Sequence, residues 1–130
     1  MTTKYQAVLD EFKDATQRLA EALAAEKTEF VRDAAIKRFE MAFDLSWKTI
    51  KSALEEEGIL CASPLACIKE AFRQHLVGSH DAWVELIRTR NKTVHTYDEE
   101  LAEEVYTALP AALSAFQELL AELAKRAAHE

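Results

Sequence analysis

The 130-residue chain is predicted to be all-α, an up-and-down antiparallel bundle of about five helices, and three observations point there. Gly 2 and Pro 2 leave almost no turn chemistry for a β-sandwich or barrel, which needs a turn after every short strand. Ala, Leu, Glu and Lys, all strong helix formers, dominate the composition. Apolar residues recur at steps of three, four and seven, the spacing of one helix face. This length suits one domain, residues 1–130, with a single core.

The first helix is expected over about 3–25, with Tyr5, Val8, Leu9, Phe12, Leu19 and Leu23 on one side. Polar residues at 26–29 mark a short connection. The second helix, about 29–57, carries Ile36, Phe39, Phe43, Trp47, Ile50 and Leu54 on one face and ends at Gly58, a natural left-handed stop. Met41 and Leu45 fall off that face with Ala34 beside them, while Lys37, Glu40, Asp44, Lys48, Lys51 and Glu55 form a charged sector. A helix apolar over more than half its circumference packs on two sides, at a bundle centre or a subunit interface.

Ser63-Pro64 starts a third helix, with Ser as N-cap and Pro at the first position. Leu65, Ile68, Phe72 and Leu76 carry it to Gly78. Ser79 caps a fourth, faced by Trp83, Val84 and Ile87. The last begins near Asp98, is lined by Leu101, Val105, Leu109, Phe116, Leu119 and Leu123, and contains Pro110, which predicts a kink or a break.

Charge and composition exclude several function classes. A formal net charge of −7 and a pI of about 5.2 make a poor generic binder of nucleic acid, because phosphate affinity comes mainly from Lys and Arg. No stretch approaches the roughly 20 apolar residues of a membrane span. The first dozen residues carry charges where a signal peptide needs an apolar core, so the cytoplasm is the expected location. Cys61 and Cys67 lie six apart without paired histidines, which indicates neither zinc nor a disulfide and leaves two buried or idle thiols.

Against that acidic background, Arg88 to His95 carries three fixed positive charges, a histidine and no acid. Helical geometry, at about 100° per residue, divides these groups. Arg90 and Asn91 continue the buried stripe of the fourth helix by one turn, while Arg88 and Lys92 point the other way with Glu85 and read as surface charges. A guanidinium on an apolar face is costly without a partner. Glu40 or Asp44 could supply an ion pair; a functional anion site is the preferred alternative. His95, five residues after Arg90, is about 140° away on a continuous helix. Two things could unite them: fraying at the β-branched Thr93, Val94 and Thr96, with 96–99 resembling a capping box, or a two-fold axis joining two subunits. His75, His80 and His129 read as surface residues.

Arg90-Asn91-Lys92-Thr93-Val94-His95-Thr96-Tyr97 resembles the R-x4-H-x-Y form of the HEPN motif, with the usual polar residue after the Arg. The segments RFEMAFDLSWKTIKSALEEEG, SPLACIKEAFRQHLV and DAWVELIRTRNKTVHTYDEELAEEVY resemble the HI0074-like branch of that family, the nucleotidyltransferase substrate-binding proteins. The likeness extends from the second helix to the end of the chain.

The resemblance implies a homodimeric helical bundle, partnered by a minimal nucleotidyltransferase in a toxin–antitoxin pair. It implies a metal-independent endoribonuclease acting on RNA without a cofactor, with Arg90, His95 and Asn91 catalytic. Tyr97 would bind substrate or accept AMP from the partner. His95 suits proton transfer near neutral pH. Arg90 suits charge building on phosphoryl oxygens, and Asn91 could orient the imidazole or bond phosphate. The alternative is a non-catalytic nucleotide- or substrate-binding subunit of a two-component nucleotidyltransferase. A third reading makes the motif an ion-pair cluster at an interface.

Overall fold

The computed structural model describes residues 2–128, and His129 lies outside them. Five α-helices follow one another: α1 (Lys4–Ala24), α2 (Glu29–Glu56), α3 (Pro64–Arg73), α4 (His80–Lys92) and α5 (Glu99–Ala128). A 3-10 turn, Thr93–His95, joins α4 to the short stretch before α5. No strand occurs among the described residues. The all-α bundle expected from the sequence is what forms.

Each helix start is explained by one side chain. The oxygens of Thr3, Thr28, Ser63 and Ser79 accept from backbone N–H groups three residues on, at 3.0, 3.1, 3.2 and 3.1 Å. Asp98 does the same for α5, its Oδ1 accepting from Leu101 N–H at 3.1 Å. Such caps each stabilise a helix by about 1 kcal/mol. The cap of α5 is therefore Asp98 and not Thr96, whose hydroxyl instead donates back to the Thr93 carbonyl at 3.0 Å.

The helix ends bring a second correction. At the end of α2, Gly58 adopts φ 79°, with Ile59 N–H bonded to Leu54 O at 2.9 Å and Gly58 N–H to Glu55 O at 3.0 Å. This is the Schellman arrangement that Gly favours. α3 closes with the same pair of bonds, Leu76 N–H to Ala71 O and His75 N–H to Phe72 O, at 2.8 and 3.1 Å. Here a histidine, His75, takes the left-handed position at φ 62°. α3 thus ends at Arg73, well before Gly78. Leu76 and Val77 are still buried, but from the loop.

α5 runs unbroken through Pro110. The proline sits at an exposed position, where water can serve the carbonyl that its ring leaves without an amide partner. Cys61 and Cys67 also depart from expectation, because they form a disulfide with Cα atoms 5.1 Å apart. Ser63-Pro64 turns the chain back on itself, and that turn brings the loop cysteine against the first turn of α3.

α2 is the central helix and touches α1, α3, α4, α5 and the 3-10 turn. Small fully buried residues on it, Ala35, Ala42, Ser46 and Thr49, let neighbouring helices approach closely. The hydroxyls of Ser46 and Thr49 donate to their own helix, to Phe43 O and Leu45 O at 2.6 and 2.7 Å, so they are buried without unpaired polar atoms. Phe116 of α5 joins the other layers. Its ring lies 5.7 Å from Phe12 of α1, 6.2 Å from Phe39 of α2 and 5.9 Å from Trp83 of α4. No helix among the described residues is long and apolar enough to cross a membrane.

Candidate functional site

α4 presents Trp83, Leu86 and Thr89 to the core, and Arg90 and Thr93 extend that stripe towards α2. Arg90 is half-buried and has two carboxylates of α2 before it. Its Nε and Nη2 donate to Asp44 Oδ1 and Oδ2 at 3.0 and 3.1 Å, a two-pronged pairing that a planar guanidinium makes well. Its Nη1 donates to Glu40 Oε1 at 3.1 Å and to the Thr93 hydroxyl at 2.9 Å. Both partners that the sequence offered are thus engaged at once. Four of the five N–H bonds of the guanidinium are used, and one on Nη2 remains.

The charges in this cluster reinforce one another. The Asp44 hydrogen bond outweighs the cost of burial and holds Arg90 more firmly protonated than an ordinary arginine. Burial opposes ionisation of Glu40, but hydrogen bonds from Lys37 and Thr93 and the charge of Arg90 overcome it, leaving its carboxyl below the usual range. Thr93 is 7% exposed and joins the group. Its single proton has Glu40 Oε1 at 3.0 Å and the Arg90 carbonyl at 2.7 Å within reach.

Beyond Thr93 the character changes. Val94 is 63% exposed and Tyr97 83%, and His95 is exposed between them. The rings of His95 and Tyr97 meet edge to face, with centroids 6.1 Å apart. Asp98 N–H bonds to the His95 carbonyl at 3.1 Å, so the stretch is a turn with bonds of its own. His95 therefore lies in the bend, as fraying at the β-branched residues predicts.

Asn91 does not follow its expected course. It is exposed instead of extending the buried stripe, and among the described residues no hydrogen bond joins it to His95. An angle on a helical wheel gives a direction, and burial also requires a neighbour in that direction. At the end of α4, only the Arg90 and Thr93 side still faces α2. Arg88 and Lys92 meet surface acids, Glu85 on the same helix and Glu104 of α5, the latter at 2.9 Å.

A second ionic cluster escaped sequence reasoning. Arg32 of α2 is 4% exposed and donates through Nη1 to Glu99 Oε2 at 2.7 Å and Glu103 Oε1 at 3.1 Å, both on the first turns of α5. Its Nε donates to Asp33 at 3.0 Å, and Lys27 reaches Glu103 Oε2 at 2.5 Å. The hydrogen bonds that Arg32 donates to Glu99, Glu103 and Asp33 raise its pKa further above its ordinary value, and those that Lys27 and Arg32 donate to Glu103 hold that carboxyl low. A signal was available: Arg32 precedes Ile36 by four residues and Phe39 by seven, so it prolongs the apolar stripe of α2 as Arg90 prolongs that of α4.

Two concave surfaces lie away from the motif. A cavity of about 350 Å³ lined by Tyr5, Leu54, Leu76 and Leu123 sits towards the far end of α5, and a groove of about 610 Å³ runs past Leu60, Ala66 and Phe72. No residue from Arg90 to Tyr97 lines either one.

Comparison with known proteins bears on the family and the fold. The family described as "Nucleotidyltransferase substrate binding protein like" matches residues 4–125. Over 97 residues the chain is 35% identical to a Haemophilus influenzae protein named "Probable ribonuclease HepT", covering 71% of this chain and 66% of that protein, just under two thirds of its length. A crystal structure of a Thermus thermophilus protein superposes with a TM-score of 0.81 at 33% identity, covering 86% of this chain and 98% of that one. HI0074 from Haemophilus influenzae, described as the fold of a substrate-binding domain of a nucleotidyltransferase, superposes with a TM-score of 0.78 at 26% identity, covering 88% and 98%.

Proposed function

Because the chain belongs to the nucleotidyltransferase substrate-binding protein-like family, we propose that it is a metal-independent endoribonuclease, the toxin of a toxin–antitoxin pair. Its partner is a minimal nucleotidyltransferase antitoxin, and it works in the cytoplasm. The observation that carries the proposal is the exposed His95–Tyr97 ring pair, held on a short turn directly after an anchored Arg90. A buried structural cluster has no need to present an imidazole and a phenol to solvent.

In this reading His95 takes the proton of a ribose 2′-OH as that oxygen attacks the adjacent phosphorus. The P–O5′ bond breaks, the leaving O5′ takes a proton from water while His95 returns its own to solvent, and a cyclic phosphate end remains. Arg90 offers its charge and its remaining Nη2 hydrogen to the phosphoryl oxygens, and Asn91, exposed one residue on, can bond the phosphate. Tyr97 stacks on a base or accepts AMP. An adenylate on its hydroxyl adds bulk and negative charge at the site and blocks RNA without refolding the bundle.

Exposed apolar residues support a homodimer. Phe30 is 86% and Met41 43% exposed on one side of α2, and Val94 and Tyr97 follow the turn that Thr93 ties to Glu40 of that helix. A two-fold axis there gives each cleft groups from both subunits.

One observation favours a second reading. Arg90 already faces two carboxylates, which weakens it as a stabiliser of phosphoryl charge. A non-catalytic subunit that holds a nucleotide for the transferase needs less of that charge.

RNA incubated with the purified protein and EDTA separates the two. Wild type is expected to cleave and His95→Ala to lose at least about a hundredfold, the usual scale for a general acid–base group. Intact RNA with wild type, together with nucleotide binding that Arg90→Ala abolishes, would establish the binding subunit instead. Mass spectrometry after co-expression with the nucleotidyltransferase tests whether Tyr97 carries AMP.

A further inference from the structure

The six residues 93–98, which carry His95 and Tyr97, hang between two ionic anchors, and both anchors stand on α2. On the near side, Arg90 and Thr93 are tied to Glu40 and Asp44. On the far side, Glu99 and Glu103 are tied to Arg32. We propose that Arg32 is a positioning residue for the motif, one that sets where His95 and Tyr97 stand by clamping the start of α5.

The connection is short. Arg32 Nη1 holds Glu99 at 2.7 Å, and Glu99 is the first residue of α5. The residue before it, Asp98, caps the helix through Leu101 N–H at 3.1 Å and gives its own N–H to the His95 carbonyl at 3.1 Å. From the buried guanidinium to the backbone of the histidine there are two hydrogen bonds and one peptide unit, with Tyr97 inside the loop they close.

The burial of Arg32 gives the clamp its stiffness. Its side chain is 5% exposed, against 67% for Glu99, so the fixed partner is the arginine and the movable one is the helix start. Asp33 occupies Nε and Lys27 shares Glu103, which leaves the guanidinium one orientation that satisfies all its acids. Releasing the clamp frees the first turn of α5 and with it the far end of the turn before it, where the side chains of His95 and Tyr97 are both exposed and their ring contact is with each other.

The clamp acts on the ribonuclease reading through position alone, so its role in catalysis rests on that reading, whereas its geometric effect does not. Two measurements keep the failures apart. In the homodimeric or monomeric protein as purified, a nuclear Overhauser contact between the His95 and Tyr97 rings reports the geometry whether or not RNA is cleaved. Arg32→Gln is expected to lose or halve that contact with the helical signal by circular dichroism retained. Where wild type cleaves RNA, the variant's kcat should fall about tenfold at little-changed KM, the scale of a small misplacement of reacting groups. Arg32→Lys, which restores charge but not the fork, should recover only part of either signal.

Glu99→Gln and Glu103→Gln extend the test should Arg32→Gln fail to fold. Glu99 adjoins the motif and Glu103 lies a turn away, so Glu99→Gln should disturb the ring contact more than Glu103→Gln does. Equal effects that merely track melting temperature, or an unchanged ring contact in folded Arg32→Gln, would overturn the proposal. A wild type inactive on RNA, with the ring contact still sensitive to Arg32, would overturn the enzymatic reading alone.

Discussion

The hydroxyl of Thr93 ties the last turn of α4 to α2, reaching the guanidinium and the carbonyl of Arg90, three residues back, and the carboxylate of Glu40, 53 residues away. Glu40 makes the network measurable through pH. Its folded carboxyl lies below the ordinary range, after burial is outweighed by bonds from Lys37 and Thr93 and by the Arg90 charge. A group with a depressed folded pKa contributes its full stability above its unfolded pKa, here about 4.3, and loses it as pH falls through the lower folded value. Glu40→Gln should therefore be less stable than wild type at pH 7 by roughly 1–2 kcal/mol, the scale of a lost charged hydrogen bond. The gap should narrow as the pH is lowered to the acid limit, where Glu40 takes up its proton in wild type too. Urea midpoints at the two pH values read this directly, and a gap that stayed constant would remove Glu40 from the ionised network.

His75 belongs to the scale of elements, because its left-handed φ of 62° is what closes α3. A side chain at that conformation costs about 1 kcal/mol or more, and glycine removes the cost while adding some freedom to the unfolded chain. His75→Gly should raise the melting temperature by about 2–4 °C, whereas a lower value would mean that the imidazole contributes contacts worth more than the strain. The same position explains why the sequence misleads about α3. Glycine is the favoured stop and points to Gly78, while the chain stops at His75 instead. Periodicity made the other elements legible, since Phe39, Phe43 and Ile50, or Val105, Leu109 and Phe116, leave little choice of face. The partners of Arg90 were legible for a related reason: Glu40 and Asp44 lie one turn apart on a neighbouring helix. Asn91 was misread because burial at a helix end depends on a neighbour that wheel arithmetic does not supply. Cys61 and Cys67 were misread because a loop turn, not a spacing, brings them together. Arg32 was legible too, since it lies four residues before Ile36 and seven before Phe39 on the same stripe.

The charge of the whole molecule, −7, constrains how it could hold RNA. Each cation near the motif already has an acid: Arg88 meets Glu85, Arg90 meets Asp44 and Glu40, and Lys92 meets Glu104. Binding a phosphate there exchanges one ion pair for another and neutralises few backbone charges. For single strands the logarithm of affinity falls with the logarithm of salt at about 0.7 per phosphate neutralised. Two or three phosphates then give a slope near −2, or roughly a tenfold loss between 50 and 200 mM salt. Titration of a fluorescent RNA with His95→Ala, which should bind without cleaving, measures that slope. Arg88→Gln should make it shallower by somewhat less than one, with the affinity for different RNA sequences reduced alike. A slope steeper than about −4 would be more charge than this end of α4 can supply. RNA would then have to lie across a different basic surface, and the His95–Tyr97 turn would lose its place as the site of contact.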